Sequence, residues 1–167
     1  MAGSSWTVPI LTQSGVVRAS AELFLNGNKV ICSHLNDGLD FFNYEPYHYD
    51  IIISNPPFSI KDAVLERLYK LNKPFAILLP MNSLQGVKRF QYFKNGIQLL
   101  AFDQRIGFHN KNDTINPIEG SPFASAYFCR NLLPRDLIIE HLDKYSEPLY
   151  IDACRVTDNR IICKSVY

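Results

Sequence analysis

The sequence lacks the features that define several large classes of protein. Its net charge is only +1, so no overall positive field attracts a polyanion, and contact with nucleic acid requires a local patch. The four cysteines and four histidines show no metal-finger spacing, so we expect reduced, buried cysteines and no bound metal. No apolar run approaches the roughly 20 residues of a membrane span. We therefore expect a soluble, cytoplasmic protein without a membrane partner.

What is present is the composition of a globular domain. The chain has 167 residues, which is enough for one hydrophobic core and too few for two typical domains. The hydrophobic fraction of 47% and the charged fraction of 20% both argue against disorder. We predict one domain over residues 1–167, with an atypical strand and helix in 1–28 and a C-terminal extension at 146–167 that folds as a hairpin.

The apolar pattern predicts strands that alternate with helices. The isoleucines at 51–53 and the run at 75–79 are typical of strands buried on both faces, as in a parallel sheet. Pro9 favours an edge position or an irregular lead-in for the first strand. The order predicts a three-layer, Rossmann-like α/β fold, mostly parallel with an antiparallel C-terminal strand after a long polar loop at 105–122. Strands are predicted at 6–11, 29–35, 49–54, 74–81, 97–103 and 124–133, and helices at 14–28, 60–72, 83–96 and 137–144, before a hairpin turning at Asp158-Asn159.

The sequence YDIIISNPPFSIKD places two prolines directly after a buried strand. In a parallel sheet, ligands bind outside the carboxyl ends of the strands, which is where Asn55 and the prolines fall. Two consecutive prolines fix two φ angles and remove two N–H donors, so the loop is stiff and presents carbonyl acceptors. Phe58 adds a flat apolar face on which a planar ring can stack.

These groups suit the methylation of an exocyclic amine. The lone pair of the adenine amine is delocalised into the ring, which makes the nitrogen a poor nucleophile. Two acceptors, the Asn55 side-chain oxygen and a loop carbonyl, would hold both N–H groups and point the lone pair at an electrophilic methyl group. Positioning and local electrostatics would then supply most of the rate acceleration, without a strong general base.

Several stretches, taken in order, resemble the phage-type DNA adenine-N6 methyltransferases, a family of class I S-adenosylmethionine-dependent amino-methyltransferases. They are DFF at 40–42, NPPFSIKD at 55–62, FAILLPMNSLQG at 75–86, RIGFH at 105–109 and SPFASAYF at 121–128. The resemblance covers about residues 29–145. SNPPF alone is similar to the motif of RNA-adenine and protein-glutamine methyltransferases, so those acceptors stay open.

The resemblance implies a site for each part of the reaction. Asn55 and the carbonyl of Pro56 would hold the amine, Pro57 would stiffen the loop and Phe58 would stack on the base, which has to be flipped out of a duplex. Asp40 and Phe41 would lie beside the adenine of S-adenosylmethionine, although this stretch also reads as a turn with core aromatics.

The N-terminal segment departs from the pattern of the family. Where a glycine-rich loop and a preceding acidic or aromatic residue would hold the cofactor, the segment from Pro9 to Gly15 has a single glycine and no carboxylate. This departure favours an alternative function, a methyltransferase-like module that has lost its cofactor and binds nucleic acid or protein. The intact NPPF favours the enzyme.

Contact with DNA is expected beside the long loop. Arg105, His109 and Lys111 are the candidate residues, because they lead into the loop next to the presumed site. The run VKRFQYFKN at 87–95 offers further basic residues, but its pattern favours a helix with Phe90 and Phe93 in the core and the charges in solvent. The chain has little room for a separate target-recognition domain, so a homodimer or a partner subunit is a further expectation.

Overall fold

The computed structural model describes residues 5–10, 29–34, 38–107, 109–110, 113–117, 123–142, 154–157 and 160–163. Two α-helices are described, α1 at Lys61–Leu71 and α2 at Val87–Phe93. The described strands are β1 Ser5–Ile10, β2 Lys29–His34, β3 Ile51–Ser54, β4 Phe75–Pro80, β5 Gln98–Phe102, β6 His109–Asn110, β7 Asp113–Pro117, β8 Ser125–Arg130, β9 Leu137–Glu140, β10 Cys154–Thr157 and β11 Arg160–Cys163.

Seven of these strands form one mixed sheet in the order β2-β1-β3-β4-β8-β5-β9. Strand β1 pairs in parallel with β2 on one side and with β3 on the other, and β3 pairs in parallel with β4. Strand β8 is antiparallel to both neighbours, β4 and β5, whereas β9 runs parallel to β5. The domain is therefore α/β with a mostly parallel sheet, and the predicted antiparallel pairing of the strands that flank the long loop is confirmed.

Both described helices cover the same face of this sheet. Ile52 aligns with Phe75, and Ile77 aligns with Phe128, so these side chains share one face. They form a single core cluster that includes Val64, Leu65 and Leu68 of α1. Phe93 of α2 packs on Phe128, with 5.8 Å between ring centroids. The predicted helix at 14–28, which would form the third layer, lies outside the described residues.

The central strand β4 is the best match between sequence and structure. All six of its residues are buried, as its unbroken apolar run predicts. Helix α1 also lies where predicted. It ends where Asn72 adopts the left-handed conformation (φ 52°) and donates its backbone N–H to the carbonyl of Leu68, just before Pro74.

Three sequence-based predictions are wrong. Residues 137–140 form strand β9 rather than a helix; three consecutive branched apolar residues suit a strand, and the parallel pairing with β5 supplies its backbone partners. Strand β1 is not an edge strand. Pro9 is tolerated there because β3 pairs only with Trp6 and Thr7 of β1. The loop at 105–122 is not structureless, since β6 and β7 pair antiparallel within it.

The C-terminal hairpin is confirmed in its strands. β10 and β11 pair antiparallel, with Thr157 opposite Arg160. This register leaves Asp158 and Asn159 as the connection, although the turn itself lies outside the described residues. Among the described residues, no helix is long and apolar enough to cross a membrane.

Candidate active site

The ends of four strands meet at one edge of the sheet. The carboxyl ends of β3 and β4 lie there, and the amino end of antiparallel β8 joins them because Pro80 aligns with Ser125. The backbone N–H of Met81 donates to the carbonyl of Ala124 at 2.9 Å, which ties the segment after β4 to the segment before β8. The chain adds β2 on one side of β1 and then crosses over to add β3 on the other side. The order of the strands therefore reverses next to β1. Such a switch point forms a crevice that commonly holds a ligand.

The segment from Asn55 to Phe58, which we call the acceptor loop, follows β3 directly at this edge. Pro56 is fully buried and Asn55 is half-buried, so the loop is anchored in the protein. Pro57 has φ −56° and ψ 127°, and its carbonyl accepts the backbone N–H of Ile60 at 3.1 Å to start a short 3₁₀ turn. The Lys61 ammonium donates to the carbonyl of Phe58 at 3.1 Å. Neither bond uses the Pro56 carbonyl, which is the acceptor that the sequence singles out.

Phe58 has an aromatic partner that was not predicted as a site residue. Its ring meets Phe123 edge to face, with 5.6 Å between centroids, and it also packs against the hydrophobic core. Phe123 belongs to the segment before β8 and is partly exposed. The two rings hold the acceptor loop against a second strand of the edge, and an edge-to-face pair keeps a fixed relative orientation.

Arg89 of α2 links the first turn of α1, which follows the acceptor loop, to the segment that follows β4. Its guanidinium bonds the carboxylate of Asp62 at 2.7 Å and the carbonyl of Ser83 at 2.7 Å, and it also bonds the carbonyl of Gln85. A Cβ on Gly86 would lie 2.5 Å from the guanidinium, so only glycine leaves the space that Arg89 occupies. The sequence carries no signal for the pair, because Arg89 and Asp62 are 27 residues apart.

Asp40 and Phe41 have local structural roles in the described chain. One carboxylate oxygen of Asp40 accepts the backbone N–H of Phe42 at 3.1 Å, and the other accepts the side-chain amide of Asn43 at 3.1 Å. The carbonyl of Asp40 accepts the backbone N–H groups of Asn43 and Tyr44. Phe41 is 6% exposed and belongs to the core cluster. This geometry is that of a turn with a core aromatic residue.

A shallow cleft lies between the end of β2 and the segment that leads to β3. The cavity volume is only about 10 Å³, roughly enough for one water molecule and far below the roughly 300 Å³ of small ligand pockets. Ser33 and Glu45 supply its polar groups. The carboxylate of Glu45, which sequence reasoning missed, accepts the hydroxyl of Tyr49 at 2.9 Å and pairs with Arg67 at 3.8 Å. Burial, together with the bond to Glu45, raises the pKa of Tyr49 well above its ordinary value, so Tyr49 remains a donor.

The remaining predicted residues are only partly described. Arg105 is exposed and follows β5 at the same edge of the sheet. His109 begins β6, and Pro9 aligns with Ser33 in the ladder between β1 and β2, but the side chains of His109 and Pro9 lie outside the described part of the chain, as do Gly15 and Lys111. Across the described ranges, no group of three or more histidine, cysteine or acidic side chains could hold a metal ion.

No family model, curated protein or solved structure matches the chain. A functional assignment therefore depends on the geometry of the site and on the sequence motifs.

Proposed function

We propose that this chain is a class I amino-methyltransferase domain that transfers the methyl group of S-adenosylmethionine to N6 of adenine in DNA. The observation that carries the proposal is the acceptor loop, an Asn-Pro-Pro-Phe segment at the carboxyl end of parallel β3, beside the switch point between β1 and β3. A ligand-binding crevice is expected at that point of a parallel sheet.

The sheet supports the proposal. A Rossmann-like methyltransferase is expected to have a mostly parallel sheet with an antiparallel C-terminal strand, and β8 is antiparallel between strands of the parallel set. The insertion of β8 brings Phe123 to the acceptor loop, where a stacked base would need a second apolar contact. An antiparallel strand at this position thus contributes to the site as well as to the fold.

In this mechanism the residues of the chain would act by positioning the amine and the base. The side-chain oxygen of Asn55 and the carbonyl of Pro56 would each accept one N–H of the amine, and Pro57 would keep that carbonyl in place. The ring of Phe58, fixed by Phe123, would lie against the base. S-adenosylmethionine supplies the electrophilic methyl group when bound. The proton on nitrogen would leave after the methyl group has arrived, so no strong base is needed at the loop.

The described residues fit the cofactor unequally. The carboxyl ends of β1 and β2 lie side by side, with Pro9 opposite Ser33, which suits a nucleoside bound at the switch point. Each carboxylate oxygen of Asp40 accepts one hydrogen bond within the turn and keeps a second lone pair with which it could accept a bond from a ligand. Phe41 is buried, but it lines the cleft beside Ser33 at the end of β2. Further contacts to the cofactor would come from the ends of β1 and β2.

The test is methyl transfer itself. Purified protein would be incubated with S-adenosylmethionine labelled in its methyl group and with adenine-containing duplex or single-stranded DNA, and the product nucleosides would be separated. Labelled N6-methyladenine is the expected product. Absence of label in DNA, together with no calorimetric heat at millimolar S-adenosylmethionine, would refute the enzyme; label in RNA or in a glutamine side chain would reassign the acceptor.

A second candidate function is a methyltransferase-like binding module without a cofactor. The turn at Asp40 and Phe41 favours it, because the two residues expected beside the cofactor are used by the fold. The calorimetric titration separates the two functions, since only the enzyme is expected to bind S-adenosylmethionine.

A further inference from the structure

Helix α2 exposes apolar side chains that its sequence pattern assigns to the core. Phe93 packs on Phe128 as expected, but Phe90 is 66% exposed and Val87 is 95% exposed. Leu84, in the turn before the helix, is 39% exposed. Exposing large apolar groups together is costly for a monomer in water, so a partner for this surface is expected. We call Leu84, Val87, Lys88, Phe90 and Lys94 the α2 surface.

The charged residues of α2 and its flanking segments have one sign. The sequence contains no aspartate or glutamate between Met81 and Phe102. Lys88 and Lys94 are exposed on α2. Arg89 is bound to Asp62, so its charge is balanced within the fold and the two lysines define the field outside. A surface with exposed apolar groups between lysines complements a polyanion that also offers flat apolar faces.

Helix α2 is tied to the start of α1, which follows the acceptor loop. The 2.7 Å contact between Arg89 and Asp62 joins the first turn of α2 to the first turn of α1, which begins just after Phe58. Strand β4 ends at this edge, and the short segment from Met81 to Gly86 leads from it to α2. A nucleic acid bound at the acceptor loop would reach the α2 surface by extending across this link.

We propose that the α2 surface is a DNA-contact surface, in which Phe90 and Val87 contact bases beside the flipped nucleotide and Lys88 and Lys94 contact the phosphates. Extruding a base leaves an unstacked gap in a duplex, and apolar side chains commonly occupy such gaps. The inference rests on the proposed function for the flipped base, but the contact itself requires neither cofactor nor methyl transfer. It adds a second DNA contact to the one predicted beside the long loop.

A second copy of the chain is a less suitable occupant. In a twofold interface the same patch faces itself, so Lys88 and Lys94 of the two copies would be brought together. Like charges brought together at an interface oppose association. The charge of the surface therefore favours DNA over self-association.

Binding without cofactor tests the inference. Fluorescein-labelled single-stranded and duplex oligonucleotides would be titrated with protein, with anisotropy read at several salt concentrations. Phe90→Ala is expected to weaken binding by about 10-fold, the loss of one stacking contact. The Lys88→Gln/Lys94→Gln double variant is expected to lower the salt slope by roughly 1.4 on single strands, about 0.7 for each phosphate contact.

The controls match the variants in exposure. Ile139→Ala removes an apolar side chain that is 65% exposed on β9, and Lys70→Gln removes an exposed lysine of α1; neither is expected to change binding. Wild-type protein that does not bind DNA, or variants that bind as the wild type does, would overturn the inference. A dimer in sedimentation that Phe90→Ala dissociates, with DNA binding unchanged, would assign the surface to a second copy. Binding that depends on Phe90 without any methyl transfer would refute only the proposed enzyme.

Discussion

Two loops that follow parallel strands use their polar groups in opposite ways. In the turn after β2, the carboxylate and the carbonyl of Asp40 both accept hydrogen bonds from within the turn. In the acceptor loop after β3, two prolines remove N–H donors, and the bonds at Pro57 and Phe58 fasten the end of the loop to α1. The first loop uses side-chain and main-chain acceptors of Asp40 within the turn, whereas the shape of the second is restricted by the covalent geometry of its two prolines.

Under the proposed function, the difference bears on how firmly each side of the site is held in the absence of a ligand. A loop stiffened by proline keeps its shape independently of its ligand, so its acceptors remain oriented. A turn that satisfies its own carboxylate is stable without a ligand and gains little from one. Under the proposed function the acceptor side would be preorganised for an amine, whereas the turn after β2 is stabilised by its own hydrogen bonds.

The largest expected effect is at the acceptor loop. Asn55→Ala should lower methyl transfer to DNA by about 100-fold, the order lost when one oriented hydrogen bond to a reacting group is removed. Calorimetry should give unchanged affinity for S-adenosylmethionine, because Asn55 would contact only the amine. Asn95→Ala, an exposed asparagine after α2, is the matched control. Full activity in Asn55→Ala would remove the loop from the mechanism.

The next largest effect is expected at Arg89, which links Asp62 of α1 to the segment after β4. Arg89→Met keeps the aliphatic stem but leaves Asp62 and the carbonyl of Ser83 without their donor, so the free energy of unfolding should fall by about 2 kcal/mol. Gly86→Ala should act in the same direction by displacing the guanidinium. Urea denaturation measures both. Arg135→Met, at an exposed arginine, should change stability little, and equal losses in all three variants would contradict the link.

Variants of Asp40 distinguish a purely structural role of its turn from a role in cofactor binding. Asp40→Ala should cost about 1 kcal/mol of stability, because it removes the acceptor for the Phe42 N–H. Asp40→Asn keeps one oxygen for that bond and should stay close to wild type. Neither change should alter the dissociation constant for S-adenosylmethionine beyond twofold. A loss of affinity in Asp40→Asn with stability unchanged would place Asp40 at the cofactor after all.

The sequence predicts most of the sheet because the strong signals are local. The strand β4 and the helix α1 can be predicted because the local order of apolar side chains indicates which residues are buried. Residues 137–140 were assigned the wrong element because their pairing partner, β5, is distant in sequence. Leu142 also binds Asp103 through its backbone N–H, a contact that no local pattern contains.

The candidate site shows the same contrast between local signals, which the sequence predicts, and contacts between distant segments, which it does not. The acceptor loop was predicted from the prolines at a strand end, since backbone restriction is local. The contact between Phe58 and Phe123 and the link between Arg89 and Asp62 were not predicted, because each joins segments that only the folded sheet brings together. Phe90 was assigned to the core from helical spacing, yet it is 66% exposed, and only Phe93 packs on Phe128.

The smallest effect concerns a third loop at this edge, the one after β5, and it depends on pH. The backbone N–H of Leu142 and then the side chain of His141 bond the carboxylate of Asp103 and hold its pKa below the ordinary value of 3.8. Because the folded pKa is lowered, the contribution of Asp103 to stability is fully present above 3.8 and is lost as the pH falls through the lower folded value.

Asp103→Asn should therefore lower the urea midpoint of unfolding slightly at neutral pH, and the gap from wild type should close in acid. A gap that is constant from neutral pH to strong acid would show that the carboxylate charge contributes nothing. If Asp103 behaves as expected, the loops after β2 and β5 each use a carboxylate to stabilise themselves. The acceptor loop itself contains prolines in place of a carboxylate, and the carboxylate that follows it, Asp62 of α1, is paired with Arg89.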